Sequence, residues 1–296
     1  MPKKIIAITG PTASGKTSLA VQVAEYFETQ IVSFDSRQFF KELSIGTAKP
    51  TTDEMGGIQH YFINSHSIKE HYTVGDFEKE CTILLEKLFL NHDIIVMVGG
   101  SGLYLKAVLE GLDHFPDINP EIRPQLIDKF DKHGIESLQS QLLGLDPQYY
   151  EIVDLHNHQR LIRALEVCLS TGKPFSSFRT NQKKENRYNT LKIGIDLQRE
   201  LLYDRINLRV DLMMKKGLLE EVKSLADYKT HNALQTVGYK ELFDHLDGKH
   251  TLDEAIAFIK QNTRRYAKRQ LTWFKKDKET HWIKNPVLEE VLKLHL

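Results

Sequence analysis

The sequence has little of several features that define other classes of protein. Its two cysteines, Cys81 and Cys168, lie far apart in apolar stretches of helical pattern, so neither a disulfide framework nor a zinc site is indicated. The apolar runs are all shorter than the roughly 18 residues that a membrane span needs. Residues 1–4 lead directly into an apolar run. We therefore expect no leader peptide, no membrane partner and a reducing, cytoplasmic setting.

Net charge is also lacking, because 40 basic residues are balanced by 40 acidic residues. A balanced protein has no overall field that attracts polyanions, so any contact with nucleic acid must come from a local patch. The hydrophobic fraction of 41% in 296 residues is ordinary for a globular protein. This length is enough for one large core with a smaller attached unit.

Buried-strand patterns alternate with helical patterns in the first hundred residues. Continuous apolar runs at 5–9, 31–34 and 94–98 are typical of strands that are covered on both faces. Helical spacing of apolar residues lies between these runs, at 18–27 and 75–90. The alternation predicts an α/β fold with a parallel sheet flanked by helices.

The pattern changes in the middle of the chain. Pro116, Pro120 and Pro124 punctuate a stretch of helical period without a strand signal, and alternation at 191–197 then predicts a strand that rejoins the sheet. We therefore expect two domains. They are a helical insert domain, 113–189, and a core with a C-terminal helical, basic region, 1–112 with 190–296.

A glycine-rich loop follows the first strand. Residues 10–17, GPTASGKT, match the P-loop pattern in full and lie between a buried strand and a helix start, the context that makes this motif specific. Backbone N–H groups and the helix dipole hold phosphate oxygens in such a loop, Lys16 adds a positive charge, and the Thr17 hydroxyl ligates Mg²⁺. The sequence thus predicts a P-loop NTPase-like core. The predicted diphosphate-binding residues are Gly10, Pro11, Thr12, Ala13, Ser14, Gly15, Lys16 and Thr17.

The loop alone leaves its ligand open, because nucleoside triphosphates are only the most common ligands of this architecture. In P-loop NTPases a later strand usually ends in an Asp that helps to hold the magnesium. Here the strand 94–98 is followed by GGSG at 99–102. That loop offers a hydroxyl and backbone N–H groups, which weakens the kinase and ATPase interpretations. Its glycines also fit a plain tight turn.

Asp35 follows the strand 31–34 directly, so we expect it at the carboxyl edge of the sheet beside the P-loop. That place suits a general base, and it also suits a helix cap or a carboxylate that holds the waters of a magnesium ion. Gln38 can hydrogen-bond an adenine edge and Arg37 can hold a phosphate. We interpret DSRQ at 35–38 as a turn that reads the acceptor.

Positive charge is concentrated near the C terminus. Residues 260–278 include eight basic side chains and one acidic side chain, Asp277. The basic side chains share one side of the predicted helix, which is typical of a solvated face and of an RNA-binding face. Their nearly uniform sign in a neutral protein favours RNA. Arg160 and Arg163 form a smaller basic pair in the insert.

Together these motifs resemble those of the tRNA dimethylallyltransferases, also called tRNA isopentenyl transferases, of the bacterial type. The similarity spans nearly the whole chain. It is carried by GPTASGKT at 10–17, DSRQ at 35–38, IGTAKP at 45–50, DF at 76–77, VGGSGLYLKA at 98–107, QRLIRALEV at 159–167, NALQTVGYKEL at 232–242 and TRRYAKRQLTWF at 263–274. Two departures are Ser101, where many members have Thr, and Phe39-Phe40, where an aliphatic-aromatic pair is more usual.

The resemblance implies transfer of a dimethylallyl group from dimethylallyl diphosphate to N6 of the adenosine 3′-adjacent to the anticodon, in tRNAs that read codons beginning with U, with release of diphosphate. We accordingly expect Mg²⁺ as cofactor, tRNA as partner through its anticodon stem-loop, and a monomer. Asp35 would take the N6 proton, and Ser101 would position the acceptor or a diphosphate oxygen. The expected tRNA-binding residues are Asp35, Ser36, Arg37, Gln38, Ser101, Arg123, Gln159, Arg160, Leu161, Ile162, Arg163, Lys240, Arg264, Arg265, Lys268 and Arg269.

Alternatives remain at this point. Arg205 and Arg209, four residues apart on one predicted helix, are either a clamp on the diphosphate or members of surface ion pairs. A small-molecule or nucleoside kinase would share the P-loop and the insert, but it would leave the basic helix without a role. A prenyltransferase of free adenine nucleotides would not need that helix either. The intact Lys16-Thr17 pair beside Asp35 disfavours a non-catalytic RNA-binding module.

Overall fold

The computed structural model describes residues 3–113, 115–179 and 186–294, so residues 114 and 180–185 of the predicted insert lie outside the described ranges. The chain divides into two compact units. The first unit is Met1–Gly111 with Asn186–Leu296, and the second is Leu112–Glu185.

The first unit is built on a six-stranded sheet in which all neighbouring strands are parallel. The strands are β1 (Lys4–Thr9), β2 (Ile31–Ser33), β3 (His60–Tyr61), β4 (Ile94–Gly99), β5 (Asn189–Ile195) and β6 (His281–Ile283). Their order across the sheet is β3-β2-β4-β1-β5-β6. The strand β1, which leads into the P-loop, is therefore central, and Thr9 at its end is in register with Gly99 and with Gly194.

Helices make up most of the rest of both units. In chain order they are α1 (Lys16–Tyr26), α2 (Val74–Leu88), α3 (Gly102–Glu110), α4 (Ile122–His133), α5 (Ile135–Leu145), α6 (Pro147–Tyr150), α7 (His158–Thr171), α8 (Arg199–Lys215), α9 (Leu218–Ser224), α10 (Tyr239–Leu246), α11 (Leu252–Phe274) and α12 (Leu288–Leu292). Within the described part of the chain, no helix is long and apolar enough to cross a bilayer. The second unit contains α4 to α7.

Apolar side chains cover both faces of the sheet, which explains why its central strands are apolar without alternation. Ile6 and Ile8 of β1 face a cluster that includes side chains of α1 and α8. Ile5 and Ala7 face the opposite cluster, which includes α2 and α3. Cys81 lies in this second cluster, and both cysteines are buried and free. A third cluster joins α8, α9, α10 and α11 around the fully buried Tyr239.

The second unit has its own core, formed by side chains of α4, α5 and α7. An ion pair between a partly exposed arginine and a buried glutamate joins α4 to α7: Arg123 Nε and Nη2 donate to the two carboxylate oxygens of Glu166 at 2.6 and 3.0 Å. Because the Glu166 side chain is only 5% exposed, this two-point contact compensates for taking the charge out of water.

Local sequence explains where the long helices of the first unit begin. Thr73 and Asp76 form a reciprocal capping box at the start of α2, with the Thr73 N–H donating to Asp76 at 2.9 Å. Thr251 and Glu254 do the same for α11. The Asp of the DF motif is thus a helix cap, and Phe77 beside it packs in the core.

Candidate active site

The P-loop turns sharply at the carboxyl end of β1. Ala13 and Gly15 have positive φ angles of 64° and 93°, and α1 begins directly after them at Lys16. Gly10 is packed tightly, because a Cβ there would lie 2.9 Å from Ser14 Oγ. Left-handed residues in such a turn aim successive N–H groups into one concavity, which binds anions. The eight predicted diphosphate-binding residues are therefore brought together in one loop.

The P-loop contains a buried hydroxyl that is placed to hydrogen-bond a phosphate oxygen. Among the described residues, Ser14 Oγ is buried and has no hydrogen-bond partner. Leaving such a group unsatisfied costs about 1–3 kcal/mol. Lys16 Nζ donates to the Pro11 carbonyl at 3.3 Å. Burial lowers the pKa of Lys16 to about 8, an effect that nearby Asp35 opposes and Arg209 reinforces. A diphosphate in this loop would bond the hydroxyl and favour the charged ammonium.

Two arginines of α8 lie beside the P-loop. Arg209 Nη1 donates to Thr12 Oγ1 at 3.4 Å, and burial lowers the pKa of its guanidinium. Arg205 Nη1 lies 3.8 Å from the point where a Cβ on Gly15 would stand. Together with Lys16, they surround the loop with three cationic side chains. This placement favours the clamp over the surface ion pair as the role of the two arginines.

Asp35 follows β2 and lies half-buried near the P-loop and α11. Its Oδ1 accepts the N–H of Arg37 at 3.2 Å, so the turn itself orients the carboxylate. Its charge acts on Lys16 and Arg209 and on Tyr266 of α11. The carboxylate therefore lies where a base would face an acceptor beside a leaving diphosphate.

The side chains of Arg37 and Gln38 both bond to backbone within the first unit. Arg37 Nη1 donates to the Asn232 carbonyl at 3.1 Å. Gln38 Nε2 donates to the carbonyls of Thr47 and Ala48, each at 3.3 Å. The Arg37 bond joins the turn at 35–38 to residue 232, and the Gln38 bonds join it to the IGTAKP segment and hold the Gln38 amide in one orientation. The reading of an acceptor base by this turn stays a prediction.

Ser101 joins the loop after β4 to the Asp35 turn. Its Oγ accepts the N–H of Ser36 at 3.0 Å and donates to Ser36 Oγ at 3.0 Å. The Tyr266 phenol lies near Ser101, which acts on its pKa. Ser101 is therefore hydrogen-bonded to the turn that carries Asp35, and its role in positioning an acceptor stays a prediction.

Three residues of α11 lie beside the loop 99–102 and the Asp35 turn: Tyr266, Gln270 and Trp273. They were not predicted as site residues from the sequence. They recur at positions i, i+4 and i+7 and therefore share one face of the helix. A Cβ on Gly100 would lie 2.2 Å from Gln270 Nε2, and one on Gly102 would lie 2.1 Å from Trp273 Nε1. The glycines of the GGSG loop are thus needed for α11 to pack closely. In the sequence, the one indication of such a role was that Gln270 is a polar residue on the apolar face of a predicted helix.

Several basic side chains of α11 pair within the first unit. Arg264 Nη1 donates to Asn207 of α8 at 2.6 Å from a half-buried position, and its role in RNA binding stays a prediction. Lys260 Nζ lies 2.6 Å from an Asp211 carboxylate oxygen. The exposed basic residues that remain in the predicted set on α11 are Arg265, Lys268 and Arg269.

The predicted RNA contacts of the insert divide into buried and exposed residues. Leu161 and Ile162 are 0% exposed because they form part of the core of the second unit, and their assignment to the tRNA-binding segment stays a prediction. Arg123 is held by Glu166, and Arg163 Nη1 lies 3.7 Å from the same carboxylate. The exposed residues are Gln159 and Arg160 of α7, and Lys240 of α10 in the first unit.

The donor atoms around the P-loop fit a magnesium ion that is held mainly by its substrate. Among the described residues, no three His, Cys, Asp or Glu side chains lie together as a metal site. Mg²⁺ usually binds through one or two protein oxygens, with phosphate oxygens and waters as its other ligands. Thr17, in the first turn of α1, supplies such an oxygen.

Known proteins match this chain over nearly its full length. The family model of the IPP transferases matches residues 38–277. The tRNA dimethylallyltransferase of Christiangramia forsetii is 55% identical over 282 residues, covering 95% of this chain and 93% of the relative. That of Flavobacterium johnsoniae is 51% identical and covers 95% of this chain and 93% of its own.

Solved structures give the same result. The tRNA isopentenylpyrophosphate transferase of Bacillus halodurans has a TM-score of 0.73 and 36% identity, over 99% of this chain and 94% of that chain. A eukaryotic dimethylallyltransferase acting on tRNA has a TM-score of 0.81 and 28% identity, over 97% of this chain and 75% of that chain.

Proposed function

Because the chain belongs to the IPP transferase family, we propose that it transfers a dimethylallyl group from dimethylallyl diphosphate to N6 of the adenosine 3′-adjacent to the anticodon, in tRNAs that read codons beginning with U. The curated relatives, which are named tRNA dimethylallyltransferases, support this activity. One structural observation carries it: a P-loop, Asp35 and Ser101 lie beside a helix with exposed basic side chains. A small-molecule kinase has no use for such a helix.

The P-loop holds the diphosphate of the donor. N6 attacks C1 of the dimethylallyl group, the bond from C1 to the diphosphate oxygen breaks, and the leaving diphosphate takes the electron pair. Backbone N–H groups, Lys16 and Arg209 stabilise the charge that develops on the leaving oxygens. Mg²⁺, held by Thr17 and the diphosphate, supplies further neutralisation of that charge when it is bound.

Asp35 and Ser101 act on the acceptor adenosine. N6 of a loop adenosine is reached most easily when the base leaves its stack and enters a pocket. Asp35 then accepts the proton that N6 loses as the new C–N bond forms. Ser101, fixed by its two hydrogen bonds with Ser36, holds the acceptor or a diphosphate oxygen in line.

Exposed polar and basic residues of each unit are the proposed RNA contacts. In the first unit, Arg265, Lys268 and Arg269 on α11 and Lys240 on α10 bind phosphates of the anticodon stem-loop. In the second unit, Gln159 and Arg160 on α7 are the exposed residues that contact the tRNA. We also propose that the protein acts as a monomer and that it works in the cytoplasm, where its tRNA substrates are used.

A label-transfer assay tests this function. The protein is mixed with Mg²⁺, an anticodon stem-loop that carries adenosine 3′ of the anticodon, and either radiolabelled dimethylallyl diphosphate or γ-labelled ATP. We expect prenyl label in the RNA and none after the target adenosine is replaced by guanosine. Transfer of ATP phosphate to a small acceptor, without prenyl transfer, would instead identify a kinase.

A further inference from the structure

A single buried side chain connects the two loops that the proposed reaction brings together. Gln270 of α11 is 7% exposed. Its Oε1 accepts the N–H of Thr12 in the P-loop at 3.0 Å, and its Nε2 donates to the Gly100 carbonyl in the loop after β4 at 2.9 Å. One amide thus bridges the loop that holds the diphosphate and the loop that carries Ser101.

The bridge is built tightly on the side of Gly100. A Cβ on Gly100 would lie 2.2 Å from Gln270 Nε2 and 3.4 Å from its Cδ, and the next nearest atom, the Gly10 carbonyl oxygen, would be 3.7 Å away. A methyl group at position 100 would therefore displace the amide end of Gln270. Both hydrogen-bonding ends of the amide are used, which is the arrangement that a buried polar side chain needs.

Resting on the function proposed above, we propose that Gln270 is a positioning residue that sets the distance between the diphosphate-binding loop and the acceptor loop. The amide is planar and of fixed length, so its two hydrogen bonds hold Thr12 and Gly100 at one separation. Nucleophilic attack needs the reacting atoms about 3–3.5 Å apart and aligned, and a misplacement of 1 Å lowers the rate by about 10²-fold. Since α11 also carries the exposed basic residues, the helix that binds RNA is the one that aligns the two substrates.

The first test replaces Gln270 by methionine, which has a similar length and neither donor nor acceptor of comparable strength. We expect kcat to fall by about 10²-fold, because the loops lose their spacer, while KM for the stem-loop stays almost unchanged. The matched control is Gln22→Met. Gln22 also bridges two elements, with Oε1 accepting the Leu288 N–H at 3.3 Å, but neither element is a substrate loop beside the acceptor.

A simple structural role gives a different outcome. If Gln22→Met lowers kcat as much as Gln270→Met does, the loss reflects general destabilisation and the proposal fails. The proposal also fails if Gln270→Met raises only the KM for the stem-loop and leaves kcat intact, because Gln270 then contributes to substrate binding alone.

A second test needs no prenyl transfer and so separates this proposal from the proposed function. Gly100 lies outside the P-loop. The methyl of Gly100→Ala would displace Gln270, whereas its distance to the nearest P-loop atom, the Gly10 carbonyl oxygen, would be an ordinary contact of 3.7 Å. We expect Gly100→Ala to weaken the binding of inorganic diphosphate with Mg²⁺ by about threefold to tenfold, the worth of one hydrogen bond. The same substitution in a Gln270→Ala background should add almost nothing, because the displaced group is already gone.

These outcomes are distinguished by calorimetric titration of inorganic diphosphate with Mg²⁺ into four proteins: the wild type, Gly100→Ala, Gln270→Ala and the double variant. Coupled losses in Gly100→Ala and Gln270→Ala support the bridge even if no prenyl transfer is found. Wild-type affinity in Gly100→Ala, or losses that simply add in the double variant, would overturn it.

Discussion

The carboxylate of Asp35 is fixed by the turn that carries it, through the bond from the Arg37 N–H. Replacement by Asn keeps the shape of the side chain and removes the basic oxygen. We expect Asp35→Asn to lower kcat by roughly 10²–10⁴-fold, the usual contribution of a general base. Single-turnover assays measure this loss, and filter binding should show unchanged affinity for the stem-loop. A loss of affinity for the stem-loop with normal kcat would show that Asp35 is not the base. The control is Asp227→Asn, which makes the same change at an exposed site.

Tyr266 places a phenol hydroxyl near Ser101 and Asp35. Burial, reinforced by the charge of Asp35, raises its pKa to about 12, so the phenol stays neutral at physiological pH and keeps its proton to donate. Tyr266→Phe removes the hydroxyl and retains the ring, which lies 5.7 Å from Arg269 Cζ. We expect kcat to fall by about tenfold, the upper range for one hydrogen bond, and RNA affinity to be preserved. Equal kcat for Tyr266→Phe and wild type would show that the hydroxyl has no part in positioning Ser101.

Lys16 makes donor binding depend on pH. Burial lowers its pKa to about 8 in the ligand-free protein, whereas the bound diphosphate favours the protonated form. Affinity for dimethylallyl diphosphate should therefore be highest below pH 8 and fall as the pH rises through 8. Lys16→Arg keeps its charge throughout this range. Calorimetric titrations at pH 7 and pH 9 should show the fall in the wild type and not in the variant, and a parallel fall in both would exclude Lys16 as its source.

The burial of Lys16 also makes folding stability depend on pH, with the opposite sign to donor binding. A lysine whose pKa is about 8 when folded and 10.5 when unfolded binds fewer protons in the native state between these two values. The free energy of unfolding then rises with pH across this window in the ligand-free protein. Donor binding and folding thus respond to pH with opposite signs because diphosphate needs the charged ammonium that burial disfavours.

At the scale of elements, the sequence predicted the parts of the fold that leave a local pattern. The strands β1, β2 and β4 were predicted because burial on both faces requires continuous apolar runs, and β5 was predicted from the alternation at 191–197. The edge strands β3 and β6 were not, since they have two and three residues and show no periodicity. The P-loop was predicted from one contiguous motif. The contacts of Gln270 were not, because they join residues 258 and 170 positions apart.

The basic side chains of α11 fall into two groups that should behave differently. Arg265 and Arg269 are exposed, whereas Arg264 and Lys260 contact α8. We expect Arg265→Ala with Arg269→Ala to weaken stem-loop binding and to flatten its salt dependence by about 0.7–0.9 in slope for each phosphate that is no longer neutralised. Arg264→Ala with Lys260→Ala, on the same helix, should lower stability and leave the slope nearly unchanged. Filter binding over a range of KCl concentrations makes the comparison; equal slopes in all three proteins would exclude α11 as the RNA face.

For the whole molecule, charge and ligand sites are distributed unevenly over a chain that is neutral in sum. The P-loop, Asp35, Gln270 and the exposed residues of α11 all belong to the first unit, and the second unit has a separate core. Both tryptophans, Trp273 and Trp282, also lie in the first unit. Tryptophan fluorescence therefore reports the unfolding of the unit that holds the diphosphate.

This distribution permits a test of the diphosphate site that is independent of catalysis. A ligand that binds only the folded state at 100 times its Kd stabilises that state by about 2.7 kcal/mol. For a unit of this size, that corresponds to a rise in Tm of roughly 5–10 °C. We expect diphosphate with Mg²⁺ to raise the fluorescence Tm of the wild type by this amount, and Mg²⁺ alone to leave it unchanged. Lys16→Ala should abolish the shift because the loop then lacks its central cation; a shift of equal size in Lys16→Ala would place the bound diphosphate elsewhere.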